Sequence, residues 1–243
     1  MVAIMNWTET LALFTPLDFA AVAFLFVAWV AIGRLTEHPP ASRPSVSSLM
    51  AEYRRDWMKQ FVTRDPRIFD AQIVANLRQG TAFFASASMI ALGGGLALIG
   101  NAERLTGVAE DLTQINQPDA FWEIKLVVML LFAANAFLKF VWSHRLFGYC
   151  SVLMAAVPND VSDANAYPLA AKAGEINITG ARGYNRGLRS IYFGIGSSAW
   201  LLGAVPLILA VLATLIIIGR REFASESRLV LLDSPARATH TQT

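Results

Sequence analysis

The sequence predicts an all-α polytopic membrane protein: a four-transmembrane-helix bundle with amphipathic helices on its cytoplasmic side. Three observations predict it. The 243 residues are 55% hydrophobic and only 16% charged, with a mean hydropathy of +0.45, where a soluble domain carries about 25% charged residues. The apolar residues fall into four long runs, each with the roughly 20 residues that a helix needs to cross a bilayer. Lys and Arg collect in alternate loops between those runs, as the positive-inside rule describes. Composition excludes a disordered chain, a collagen-like chain and a disulfide scaffold. With a single cysteine, Cys150, no internal disulfide and no cysteine-rich metal site can form. A net charge of +2 is too near balance to suggest nucleic acid.

The first run lies within 11–32. No Lys or Arg precedes Arg34, so the basic start of a cleaved signal is missing and the segment reads as a retained span. The loop 34–80 follows. Within it, 45–64 reads as an amphipathic helix, with Leu49, Tyr53, Trp57 and Phe61 recurring every four residues and Arg54, Arg55 and Lys59 on the other faces. Such a helix suits either the headgroup layer or the protein's own bundle. Asp65-Pro66 looks like a second helix start, Asp as the cap and Pro at the first helical position. That helix runs through Ile68, Phe69, Ile73 and Leu77 toward the second span, 81–99. Gly93-Gly94-Gly95 weakens this span and could let it unwind.

The third span is 121–142. Glu123 and Lys125 sit near its outer edge and are expected to snorkel or pair outward. Asn135 and Lys139, four residues apart on one face, are candidate intramembrane polar contacts. Asn135 is the deepest, and its amide needs a partner from a neighbouring helix. The second polar loop holds a short apolar run, 146–157, then a turn-rich stretch, then a polar helix leading into the fourth span, 190–218. This span is longer than needed and carries Pro206, which predicts a tilt or kink. Ala91 and Gly95, Gly194 and Ser198, and Ala199 and Gly203 give small-xxx-small spacings that let helices approach closely.

Charge sets the orientation. The loops 34–80 and 143–189 hold eight and five Lys/Arg respectively, whereas the N-terminus has none and 100–120 has only Arg104. Both large loops are therefore expected in the cytoplasm and both termini outside, in an inner-membrane protein of bacterial type. The tail argues against this: Arg220, Arg221, Arg228 and Arg237 would all lie outside. Residues 1–221 form one membrane domain in this reading, and 222–243 form a flexible tail.

The densest polar motif is GARGYNRGLRSIYF, 180–193. On a helix Arg182, Arg186 and Arg189 form one stripe, with Asn185 beside them. Three guanidinium groups on a stripe could hold a phosphate or lipid headgroup, with Arg145 at the end of span three nearby, or could serve only as an orientation signal. They are expected to meet the end of span three or 76–78, joined by a carboxylate such as Asp70 or by a bound lipid phosphate. No paired histidine spacing, GxSxG, P-loop, GxGxxG or HExxH occurs. The sequence therefore offers no catalytic residue, metal ligand or cofactor site.

NLRQGTAFFAS (76–86), FLKFVWSHRLFGY (137–149) and YNRGLRSIYF (184–193) together resemble a family of integral membrane proteins, domain of unknown function 599. The resemblance covers most of the chain up to about Arg221. It implies four spans and brings no activity, cofactor or catalytic residue. It also implies that Trp142, Arg145, Asn185, Arg186 and Arg189 matter to the family's role. The expected function is a non-enzymatic accessory, assembly or structural subunit of a membrane complex. Its partners would be the lipid bilayer, an anionic lipid, and other membrane subunits or a second copy. The alternatives are a small transporter or channel subunit for an anionic solute or lipid headgroup, and an interfacial lipid-modifying enzyme.

Overall fold

The computed structural model describes residues 10–101, 106–107 and 117–233. The charges at Glu103, Arg104, Glu110 and Asp111, and the tail from residue 234 with Arg237, lie outside the described residues. The order of elements is α1 (Pro16–Glu37), α2 (Val46–Thr63), α3 (Ile68–Ile99), α4 (Asp119–Ala155), α5 (Ala166–Ser197), a 3-10 turn (Ser198–Leu202), α6 (Ala204–Phe223) and α7 (Glu226–Leu232). There is no strand among the described residues. Among the described residues, four segments are long and apolar enough to cross a membrane: α1, α3, α4 and the stretch Ala204–Leu232 that opens with α6.

Local chemistry fixes where the helices begin. Thr15 and Asp18 form a reciprocal capping box at α1, with Pro16 in its first turn. Ser45 caps α2 by accepting from the Ser48 N–H at 3.1 Å, and its hydroxyl donates to the Thr36 carbonyl at 2.7 Å, tying α2 to the end of α1. The start of α3 differs from expectation. Asp65-Pro66 stays in the connection, and the N-cap is Arg67, which makes no side-chain cap. The Arg67 guanidinium is spent elsewhere, on the carbonyls of Val62, Val157 and Pro158. It thereby ties together the ends of α2 and α4.

Helices α4 and α5 run antiparallel and make the most extensive contact in the bundle. Glycines of α5 meet phenylalanines of α4 in register: Gly180 faces Phe147, Gly187 faces Phe140 and Gly194 faces Phe132. A Cβ added at Gly187 would lie 2.7 Å from the Phe140 ring. The glycines recur every seven residues, two helical turns, so their stripe stays turned toward α4.

This packing corrects the fourth span. Residues 190–197 are not its beginning but the last turns of α5, which carry the chain to the end where α1 and α4 start. There Trp200, in the 3-10 turn, packs on Phe14 and lies near the Lys125 ammonium. The chain reverses at Gly203, whose φ of +124° is accessible only without a Cβ. The break therefore precedes Pro206, which sits harmlessly in the first turn of α6. Helix α6 then returns. Glu222 reaches Ser47 and Arg43 reaches the Phe223 carbonyl. In α7, Arg228 donates to the Pro44 carbonyl at 2.8 Å and the Leu231 carbonyl accepts from Tyr53.

The tail up to residue 233 was expected at the opposite end from the loop 34–80, and it lies instead beside that loop. The chain reverses at Gly203 within the apolar run 190–218, so the described end of the tail and both large loops share one end of the bundle. Its first part is not a free tail either, since α7 is helical and docked on α2. The Gly93–Gly95 run stays helical within α3, without the unwinding that three glycines could allow.

Two cores result. One sits at membrane depth, around Leu25, Trp122, Phe132, Phe193, Trp200 and Leu207. The other lies at the basic end, where Met58, Phe61 and Val62 of α2 pack on Phe147, Cys150 and the alanines of α5. Helix α2 therefore lays its apolar stripe on the protein itself. Helix α3 packs mainly along α4 and leaves most of its apolar window exposed.

Candidate functional site

The basic end gathers the polar groups of five helices. Helix α1 runs on past residue 32 to Glu37, and this carboxylate accepts from both Arg186 and Arg189 of α5. Arg186 binds through Nε and Nη2, using both Glu37 oxygens. The pair with Arg189 is largely enclosed, with side-chain exposures of 8% for Arg189 and 10% for Glu37. Such a pair holds its two helices together because breaking it strands a buried charge. Beside it, Asn185 donates to the Ser47 hydroxyl at 3.3 Å. Glu222 accepts the Ser47 N–H and hydroxyl at 3.0 Å each, satisfying a free amide in the first turn of α2.

The partners differ from those expected. The arginine stripe meets the end of span one, not the end of span three, because the seven-residue glycine face of α5 is already turned toward α4. Asp70 is engaged elsewhere: one oxygen accepts from Arg64 and from Trp57 Nε1, at 2.6 Å each. Its other oxygen is buried without a hydrogen-bond partner among the described residues. Arg145 lies apart and exposed, donating to the Tyr149 hydroxyl at 3.0 Å with its guanidinium near the Trp142 and Tyr149 rings. Asn135 donates to Ser190 of α5 at 2.6 Å. Lys139 is half-buried one turn further along α4.

Between the ends of α1 and α6, the first turns of α2, residues 76–80 of α3 and the stripe 178–189 of α5 lies a cavity of about 370 Å³. Arg54, Arg182, Arg189 and Arg221 line it, against Glu37 and Glu222. Arg54 donates to the Asn177 amide oxygen, and burial pushes its guanidinium below the ordinary value. Asn177 in turn donates to Cys150 Sγ at 3.5 Å. Cys150 is fully buried, so its thiol is a packing group in the basic core.

The far end holds a second polar feature. Lys125 does not snorkel outward; it is 3% exposed. Its ammonium lies 4.0 Å from the Phe121 ring centre, 4.9 Å from Trp122 and 5.6 Å from Trp200. Asp18 accepts from Trp200 Nε1 at 2.8 Å and from Thr15. Trp122 Nε1 is buried without a hydrogen-bond partner among the described residues.

Sequence reasoning missed Glu37, Arg54 and this aromatic cage. Glu37 carried a readable signal, as the only carboxylate between span one and Glu52 in a strongly basic loop. The cage carried none, because residues 14–18, 121–125 and 200 are brought together only by the fold.

The fold and its closed polar base define an integral membrane helix bundle braced at one end by ion pairs and at the other by aromatic rings. A family model described as "Protein of unknown function, DUF599" matches residues 20–227. The chain belongs to that family. No curated protein and no solved structure matches it.

Proposed function

We propose that the protein is a non-enzymatic integral membrane subunit that serves in the assembly or structure of a membrane complex, with its basic end in the cytoplasm. The observation that carries this reading is the contrast between α3 and the other apolar helices. Arg186 and Arg189 of α5 are used internally, locking α5 to α1 through Glu37. Helix α3 packs mainly along α4, and only 6% of its apolar window is buried. Phe83, Met89 and Ile90 all point away from the bundle. A helix held at the edge in this way presents a whole face for lipid or another membrane helix.

The test is purification from native membranes in mild detergent. A stoichiometric membrane partner, or a defined homo-oligomer, supports the reading; a monomer that carries only lipid counts against it. Orientation is tested by cysteine labelling in a Cys150→Ser background. Glu226→Cys and Asp160→Cys should be reached only after the membrane is breached, and Asn101→Cys should be reached from outside.

A small transporter or channel subunit for an anionic solute or lipid headgroup is the second reading. It is favoured by the arginine-lined cavity at the basic end. Uptake assays in proteoliposomes test it.

A further inference from the structure

The cavity at the basic end has an imbalance of charge that the protein does not resolve by itself. Its four arginines face two glutamates, and both glutamates are already engaged. Glu37 accepts from Arg186 and Arg189, and Glu222 accepts from Ser47. Arg54 is left with only the neutral Asn177 oxygen. Arg182 makes no hydrogen bond or ion pair with any described residue, although it stands on the same stripe as Asn185 and Arg189. Arg221 donates to the Tyr192 hydroxyl at 2.9 Å, so three guanidinium groups without a bonded carboxylate border one space, and of these Arg182 is exposed at its edge.

The size and walls of that space add to the argument. A volume of about 370 Å³ is in the range of small-molecule sites. Val46, Met50, Leu77 and Ile178 supply an apolar part of the wall, Met50 and Ile178 one turn along from Arg54 and Arg182 on the same helix faces. Guanidinium groups match the oxygens of phosphate in charge and in the geometry of their paired N–H donors. The apolar wall suits an organic portion attached to that phosphate.

We propose that this cavity binds a phosphate ester anion through Arg54 and Arg182. This goes beyond the assembly reading, since a structural subunit requires no ligand. The phosphate belongs either to a phospholipid headgroup or to a water-soluble compound; recognition of the anion is the same in both cases.

The experiment uses the full chain, delipidated in detergent. Two probes are titrated: inorganic phosphate, and dihexanoyl phosphatidylglycerol with dihexanoyl phosphatidylcholine as its zwitterionic control. Binding is read by calorimetry. Native mass spectrometry from nanodiscs containing phosphatidylglycerol reads retained lipid. Arg182→Gln is the decisive variant, because Arg182 makes no bond whose loss could unfold the protein. Arg54→Gln is the second, and Arg145→Gln, outside the cavity, is the control. The expected result is a loss of affinity of at least about tenfold in each cavity variant and none in Arg145→Gln, the scale of one charge-assisted contact. Binding of phosphatidylglycerol but not inorganic phosphate, lost in Arg182→Gln, identifies a lipid headgroup. Binding of inorganic phosphate, lost in the same variant, identifies a soluble ester. Binding of neither probe, or binding unchanged in Arg182→Gln, overturns the proposal. None of these outcomes depends on whether a protein partner co-purifies.

Discussion

The two ends of the bundle each enclose a cation, and they do so by different physics. At the basic end Arg189 is held by a carboxylate from another helix, with a second arginine on the same carboxylate. At the far end Lys125 is held among three aromatic rings, with Asp18 nearby but bonded to Trp200 and Thr15. The first arrangement is directional and leaves a cost when either partner is removed. The second is diffuse: each ring face attracts the ammonium through its quadrupole, worth roughly 0.5–2 kcal/mol per contact. The basic end should therefore be brittle to single substitutions and the far end tolerant of them.

The largest effect is expected at Glu37. Glu37→Ala leaves Arg189 buried without its counter-charge and frees α1 from α5. Removing one member of a buried pair costs about 3–5 kcal/mol, so thermal unfolding in detergent should fall steeply. Glu175→Ala breaks the exposed Arg55–Glu175 pair, whose side chains are 45% and 57% exposed. It should cost no more than about 1 kcal/mol. Equal losses in the two variants would mean that the Glu37 cluster is only a surface ion pair.

Next in size is the glycine seam that sets which way α5 faces. Gly187→Ala drives a Cβ into the Phe140 ring, and overpacking of this kind costs about 1–3 kcal/mol. Gly93→Ala is the matched control, since nothing lies within 4 Å of its added Cβ. There the better helix propensity of alanine should stabilise by up to about 1 kcal/mol. If both alanines behave alike, the seam does not fix the arginine stripe on Glu37.

At the far end Asp18→Ala removes the acceptor of the buried Trp200 Nε1 and half of the α1 capping box. An orphaned buried donor costs about 1–3 kcal/mol. The readout that isolates it is the Trp200 emission, compared with a Trp200→Phe background in which Asp18→Ala should cost clearly less.

Much of this was legible in the residues, and the failures have identifiable causes. The apolar runs gave the number of membrane-crossing segments, because hydropathy over 20 residues reports burial in lipid whatever the packing. The arginine stripe was legible because helical period alone places Arg182, Arg186 and Arg189 on one face. The fate of that face was not, since it depends on the rotation of α5. The seven-residue glycines at 180, 187 and 194, matched to Phe147, Phe140 and Phe132, held that information. Their pattern is a pairwise one that a search for small-xxx-small spacing passes over. The reversal within 190–218 was hidden because Trp200, Leu201 and Leu202 are as apolar as a helix interior. Only Gly203 marked it. The four tail arginines were a second sign, since by the positive-inside rule they argued against a tail across the membrane from the basic loops.

The smallest effect expected is that of Lys125→Met. Methionine keeps the length and volume of the lysine stem, which packs among Phe121, Trp122 and Trp200. The substitution forfeits the cation–π attraction, but it also removes the cost of keeping an ammonium away from water. Replacing buried charge by an apolar side chain of similar volume is often neutral or stabilising, so the two terms should nearly cancel and leave the stability within about 1 kcal/mol of the unsubstituted protein. Asp18 keeps its bonds to Trp200 and Thr15 in this variant, so no charge is orphaned as Arg189 is when Glu37 is removed. Thermal unfolding of Lys125→Met beside Glu37→Ala, in the same detergent, makes the comparison directly. A loss at Lys125 as large as that at Glu37 would show that the ammonium and Asp18 act as a true buried ion pair, and that the two ends are held by the same physics after all.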